Sequence, residues 1–259
     1  MIKAILFDLD DTLLWDEKSV KTAFERTCKF ASEKHGIDPE EFEQKVRENA
    51  RRLYESYDVY SFTQMIGINP FEGLWGEFND EQEEFRQLKA IAQTYREQSW
   101  TLGLKDVGVN DSEFGSVLAD YFIMARKESP FLYEDSLTIL EQLKGNYKLV
   151  LITNGSPSLQ NLKLEITAEL APYFDEIIIS GDFGRGKPDP TIFEHALAAL
   201  SIDKDEAIMV GDNLHTDILG ANRAGIQSVW LNRHNRKREA IEPMYEISSL
   251  SELRSILDY

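Results

Sequence analysis

Ile2-Lys3-Ala4-Ile5-Leu6-Phe7-Asp8-Leu9-Asp10-Asp11-Thr12 decides how this chain is read: a short aliphatic run stops at two carboxylates spaced two positions apart. The run is brief and nearly uninterrupted in its apolar character, as a strand buried on both faces of a parallel sheet should be. In open α/β sheets ligands bind where strands end and loops begin, so a pair of acids there stands where chemistry collects. One carboxylate of such a pair can attack a phosphorus atom while its neighbour handles the leaving-group proton. Taken alone, the stretch also reads as two solvated aspartates at a strand end.

Outward from this strand the chain changes character twice. From about Asp16 to Glu128 the segments are helical, with apolar and charged residues interleaved. Ser19 to Lys34 sets Val20, Phe24, Thr27, Cys28 and Ala31 on one face. Pro39 opens a second helix carrying Phe42, Val46, Ala50 and Leu53. Glu81 to Ser99 and Asp111 to Arg126 supply two more, and Gly67 to Gly76 reads as a turn region. After Ser129-Pro130 helices and strands alternate: helices at Ser136 to Leu143, Thr191 to Leu200 and Asp217 to Ala224, the last stopped by Gly225. The strands fall at Lys148 to Ile152, Glu176 to Ile179, Ala207 to Val210 and Gln227 to Leu231. Such alternation implies parallel pairing with right-handed crossovers. The expected fold is α/β, a doubly wound (Rossmann-like) parallel sheet with an all-helical insert between its first two strands. The expected division is core at 1–15, helical cap at 16–128 and the rest of the core at 129–259.

Three further segments stand at strand ends or in nearby loops: Thr153-Asn154-Gly155, Lys187-Pro188-Asp189-Pro190, and Gly211-Asp212-Asn213-Leu214-His215-Thr216-Asp217. Each has an ordinary explanation by itself. The first reads as a strand-to-turn transition, Lys187 as a surface lysine before a helix, and Asp217 as a helix cap. A parallel sheet, however, brings at least three of the four segments to one edge. That collects two acid pairs, a hydroxyl and an ammonium around one cavity.

In these residue types and this order the four segments resemble the signature motifs of the haloacid dehalogenase-like (HAD) superfamily of aspartate-nucleophile phosphatases. The motifs run from residue 8 to 217, and the helical insert resembles that superfamily's small cap. The resemblance implies a Mg²⁺-dependent phosphatase that forms an aspartyl-phosphate. It makes Asp8 nucleophile and metal ligand, with the Asp10 backbone carbonyl and Asp212 as further ligands. It places Asp217 outside the ligand set, orienting a metal water or Lys187. Lys187, the Thr153 hydroxyl and the loop amides of Asp10 and Asn154 face the phosphoryl oxygens, and Asp10 serves as acid and then base. Thr12 supports the loop without touching substrate. Asp10 favours phosphoryl chemistry over dehalogenation, because a halide leaves without a proton. Sugar-phosphate mutases share the motifs, so phosphotransfer stays open. The start of the insert, Leu14-Trp15-Asp16-Glu17-Lys18, looks like a bacterial group associated with phosphoserine. Phosphoglycolate, nucleoside monophosphates and sugar phosphates are the other expected substrates.

Composition sets the outer bounds. The net charge of −18 opposes nucleic acid or an anionic membrane as a main partner, and an anionic substrate then needs local cation help. Cys28 is the single cysteine, which excludes an intrachain disulfide and suits a reducing compartment. No apolar run approaches the roughly 20 residues of a membrane span, so the expected location is cytoplasmic. A small phosphomonoester is the expected partner, and the sequence does not speak to oligomeric state. His215 reads as a solvated loop histidine, while His35, His195 and His234 lack ligand spacing. Gly184-Arg185-Gly186 reads as the approach to Lys187. Arg51-Arg52 and the basic run Arg233 to Arg238 read as solvated surface. Trp75 and Trp100 read as cap core.

Overall fold

The computed structural model describes residues 1–257. Six strands form one sheet: β1 (Ala4–Phe7), β2 (Lys148–Thr153), β3 (Glu176–Ile179), β4 (Ala207–Gly211), β5 (Gln227–Leu231) and β6 (Tyr245–Ile247). All pairings are parallel and the spatial order is β3-β2-β1-β4-β5-β6. The doubly wound expectation holds. The strand order reverses between β1 and β4, and a crevice at that switch point is where such sheets hold ligands.

Alternation along each strand explains why the central strands read as unbroken apolar runs. Ile5, Phe7, Leu149, Leu151, Ile208 and Val210 fill one core layer, while Ala4, Leu6, Val150, Ile152, Ala207 and Met209 fill the other. Both layers are covered by helices, so neither strand face can be polar. β6 was not foreseen, because three residues that include an exposed Glu246 make no apolar run. It lies at the sheet edge, where a strand has a neighbour on one side only.

The chain divides into two compact units. The first comprises Met1–Trp15, Leu132–Gly155 and Lys163–Tyr259, and holds the sheet. The second comprises Asp16–Phe131 with Ser156–Leu162. Its long helices are Asp16–His35, Pro39–Glu55, Glu83–Asp106 and Ser112–Lys127. The third runs seven residues beyond its expected end at Ser99, since Trp100 and Leu104 keep its inner face apolar. Within Gly67 to Gly76 the chain makes one helical turn, Pro70–Gly73, started by an Asn69–Glu72 capping box. Phe24, Phe42, Trp75, Trp100 and Phe122 are buried together in this unit. Arg126, also buried, pairs with Asp16 at 2.7 Å and lies over the Trp75 ring. Cys28 sits in the same core at 1% exposure, and burial pushes its thiol well above the ordinary range.

Candidate active site

The site is built on the first unit, at the carboxyl ends of β1, β2 and β4. β1 ends at Phe7, and the Asp8 amide still donates to the Val210 carbonyl at 3.0 Å, so the Asp8 backbone continues the ladder. The residue is 8% exposed. The chain then turns tightly: Leu13 and Leu14 amides both donate to the Leu9 carbonyl, and Asp11 takes a left-handed φ of 59°. Asp accepts that conformation more readily than most residues.

Lys187 binds the constellation together. Its ammonium lies 2.5 Å from Asp8 Oδ1 and 2.8 Å from Asp217 Oδ1, and donates to the Ile152 carbonyl at 2.7 Å. Two ion pairs and a backbone carbonyl thus answer the charge, which is what an ammonium at 4% exposure requires. Burial alone would push this lysine's pKa down, but Asp217 and Asp8 outweigh it and hold the value above that of ordinary lysine. Asn154 fixes the lysine's backbone: Nδ2 donates to the Lys187 carbonyl at 2.9 Å and Oδ1 accepts from its amide at 2.8 Å. Gly186 allows this clamp, since a Cβ there would stand 2.8 Å from Asn154 Oδ1. Thr153, buried, closes β2 immediately before Asn154.

The β4 end supplies the second acid pair. Asp217 lies inside a wide π-helical turn, Leu214–Ile218, that precedes the helix Leu219–Ala224, so it is not the cap considered for it. Asn213 caps instead, accepting from the His215 amide at 2.9 Å. Asp217 is fully buried, and its Oδ2 accepts from the Asn213 amide at 3.1 Å. Thr12 joins the two halves of the site. Its hydroxyl donates to Asp8 Oδ2 at 3.4 Å and accepts from the Asp212 amide at 3.1 Å.

Asp8, Asp212 and Asp217 each bring a carboxylate oxygen within 4.8 Å of the other two. Three carboxylates gather here against the Lys187 ammonium and, at the exposed rim, the Arg236 guanidinium, so negative charge is in surplus. Burial, reinforced by Asp217, pushes the Asp8 carboxyl up to about 6 although Lys187 pulls the other way. Burial and the carboxylates of Asp217, Asp8 and Asp11 raise Asp212 well above its ordinary value, against Arg236 at 3.6 Å. A donor set made only of carboxylate oxygens, short of positive charge, fits a hard divalent cation.

Two basic residues escaped the sequence reading. Lys163, 3% exposed, donates to Asp10 Oδ2 at 2.8 Å. A lysine in a helix interior gives no sign of burial, and nothing in its spacing from Asp10 announces the pair. Arg233 corrects the reading of 233 to 238 as solvated surface. It is half-buried, holds Asp135 with two nitrogens at 3.0 and 2.8 Å, donates to the Thr12 carbonyl at 3.2 Å, and stacks on Tyr133. The signal would have been Asp135, a carboxylate placed to receive a guanidinium fork. His215 is exposed beside Glu239, as expected of a loop histidine.

The sequence model of haloacid dehalogenase-like hydrolases matches residues 2–225. The phosphoserine phosphatase of Thermus thermophilus is 35% identical over 238 residues, covering 92% of each chain. The glyceraldehyde 3-phosphate phosphatase of Methanopyrus kandleri is 32% identical over 251 residues, covering 94% of this chain and 88% of its own. Among solved structures, a HAD phosphatase from Thermococcus onnurineus superposes with a TM-score of 0.60 at 27% identity, over 99% of this chain and 98% of its own. The chain belongs to the haloacid dehalogenase-like hydrolase family and, within it, to the enzymes that hydrolyse phosphoric monoesters.

Proposed function

We propose that the enzyme is a Mg²⁺-dependent phosphatase of small phosphomonoesters that works through an aspartyl-phosphate on Asp8, with phosphoserine as the leading substrate. The observation that carries this reading is the shared ammonium of Lys187, which meets both Asp8 and Asp217 at the carboxyl ends of β1 and β4. Lys187 and Thr12 each hold one oxygen of Asp8, which orients the carboxylate for attack on phosphorus. The new bond runs from an Asp8 oxygen to phosphorus as the ester oxygen leaves, and Asp10 gives that oxygen a proton. Water then cleaves the acyl phosphate, Asp10 takes the water proton, and inorganic phosphate departs. The Thr153 hydroxyl and the amides of Asp10 and Asn154 donate to the phosphoryl oxygens, while Lys187 neutralises them.

The carboxylates of Asp8 and Asp212, with the Asp10 carbonyl, would hold Mg²⁺. Bound there, the ion screens the repulsion between an anionic ester and an anionic nucleophile. Both oxygens of Asp217 are engaged by Lys187 and the Asn213 amide, which supports an orienting role for it outside the ligand set.

Asp8→Asn tests the centre of this reading. The variant should fold normally and show no turnover of p-nitrophenyl phosphate with Mg²⁺, and excess EDTA should silence the unaltered enzyme. Undiminished turnover in the variant ends the nucleophile assignment. Phosphate release from phosphoserine, glyceraldehyde 3-phosphate, phosphoglycolate, nucleoside monophosphates and sugar phosphates ranks the substrates. The Thermus thermophilus relative supports phosphoserine, and a specificity constant for phosphoserine below the others would remove it.

A further inference from the structure

We propose that Lys163 is the positioning residue of Asp10, holding its Oδ2 and so setting the angle at which the carboxyl group meets the leaving-group oxygen; the inference rests on the acid–base reading of Asp10. The two acids of the nucleophile loop are served by different ammonium groups. Asp8 is paired with Lys187, which also meets Asp217, and Asp10 is paired with Lys163. The roles of nucleophile and proton carrier are thereby separated by two lysines brought in on different segments.

Lys163 lies near the end of the helix Pro157–Ile166, beside Leu164, which belongs to the sheet's core. Its side chain is 3% exposed, whereas that of Asp10 is 25% exposed. The ammonium therefore stands on the closed side of the pair, and Asp10 reaches toward the open side with its Oδ1 buried. Lysine at such a place is costly unless a carboxylate answers it. An apolar residue would serve the packing there without that cost.

What the pair supplies is orientation. A carboxyl group on a loop turns about two side-chain bonds, and only a narrow range of those angles brings an oxygen within proton-transfer distance of a leaving group. The 2.8 Å contact to Oδ2 fixes the carboxyl plane before the ester arrives. In this proposal Lys163 acts on the reaction through Asp10.

The test compares kcat on phenyl phosphate, a poor leaving group, with kcat on p-nitrophenyl phosphate, which scarcely needs a proton. The enzymes are the full-length parent, Lys163→Met, Lys163→Arg, Asp10→Asn and the double variant Asp10→Asn/Lys163→Met. Lys163→Met should lose about tenfold more on phenyl phosphate than on p-nitrophenyl phosphate, within the range that acid–base groups contribute. KM should shift by less than about twofold, because binding does not need the proton. Lys163→Arg should recover much of the loss. Added to Asp10→Asn, the lysine change should cost nothing further.

Equal losses on the two esters, or a full further loss in the double variant, overturn the inference. If Asp10→Asn discriminates between the esters and Lys163→Met does not, the lysine assignment alone falls. If Asp10→Asn itself fails to discriminate, the acid role falls and the lysine's falls with it. Should Lys163→Met not fold, Lys163→Arg decides: its ratio between the two esters must stay near the parent's, and a ratio as altered as that of Asp10→Asn overturns the inference.

Discussion

Gly211 closes β4 within reach of a carboxylate that must not move. A Cβ built there would stand 2.3 Å from Asp217 Oδ2, closer than any real contact. The absence of a side chain is what lets Asp217 fold back and meet Lys187. Gly211→Ala should cost about 2 kcal/mol of stability as an overpacked site and lower kcat at least about tenfold through the displaced carboxylate. Urea unfolding and steady-state rates check the two effects separately. At this scale the sequence was informative wherever residue type was itself the signal. Asp8, Asp10, Lys187, Asp212 and Asp217 could be picked out because acids and a lysine at strand ends, in that order, resemble a known set of motifs. Lys163 could not, because a helical lysine is usually solvated. Thr12 was legible only as support; its link to both Asp8 and the Asp212 amide depends on a fold in which two distant loops meet.

Elements explain which of these contacts endure. The loop after β1, the segment after the helical insert and the turn after β6 are held together by Arg233 and Asp135. Asp135 accepts from Arg233, from the Ser249 hydroxyl at 2.8 Å and from the Leu250 amide at 2.9 Å, and Arg233 reaches the Thr12 carbonyl. Burial would raise the Asp135 carboxyl, yet Arg233 and Ser249 hold it below the ordinary range. Arg233→Met should lower stability by about 2 kcal/mol, the loss of a charged hydrogen-bond pair. The sign with pH follows from the depressed carboxyl. Its contribution is complete above the unfolded carboxylate pKa and is lost as pH falls through the folded value. The gap between the parent and Arg233→Met should therefore be widest near neutrality and narrow in acid, as read by unfolding at several pH values. The strands of the sheet centre were legible because burial on both faces forces apolar runs. β6 and the π-helical turn were not, since a three-residue edge strand carries no pattern and a widened turn has none of its own.

For the molecule as a whole, the acidic balance of −18 is felt at the site too, where the buried carboxylates of Asp8 and Asp217 share one ammonium and the half-buried Asp212 lies beside them. A cation bound there stabilises the folded state by mass action. At a hundred times its Kd, Mg²⁺ should add about 2.7 kcal/mol. Thermal melts with and without Mg²⁺ read this as a rise in Tm that EDTA reverses. In Asp212→Asn the rise should vanish, while the metal-free Tm stays level or climbs, because one repelling carboxylate is gone. The doubly wound class was legible from the alternation of strand and helix alone. Membership of the segment Ser156–Leu162 in the helical unit was not. Leu159 is buried among that unit's aromatic residues, a long-range preference that no local pattern carries.

The lone cysteine has a practical consequence. Cys28 is sealed in an apolar core with its thiolate form strongly disfavoured, so native protein offers maleimide or iodoacetamide dyes no background target. A pair of surface cysteines, one engineered into each unit, can carry donor and acceptor fluorophores without first stripping the wild-type thiol. Single-molecule energy transfer could then follow the two units through a catalytic cycle in an otherwise unaltered enzyme.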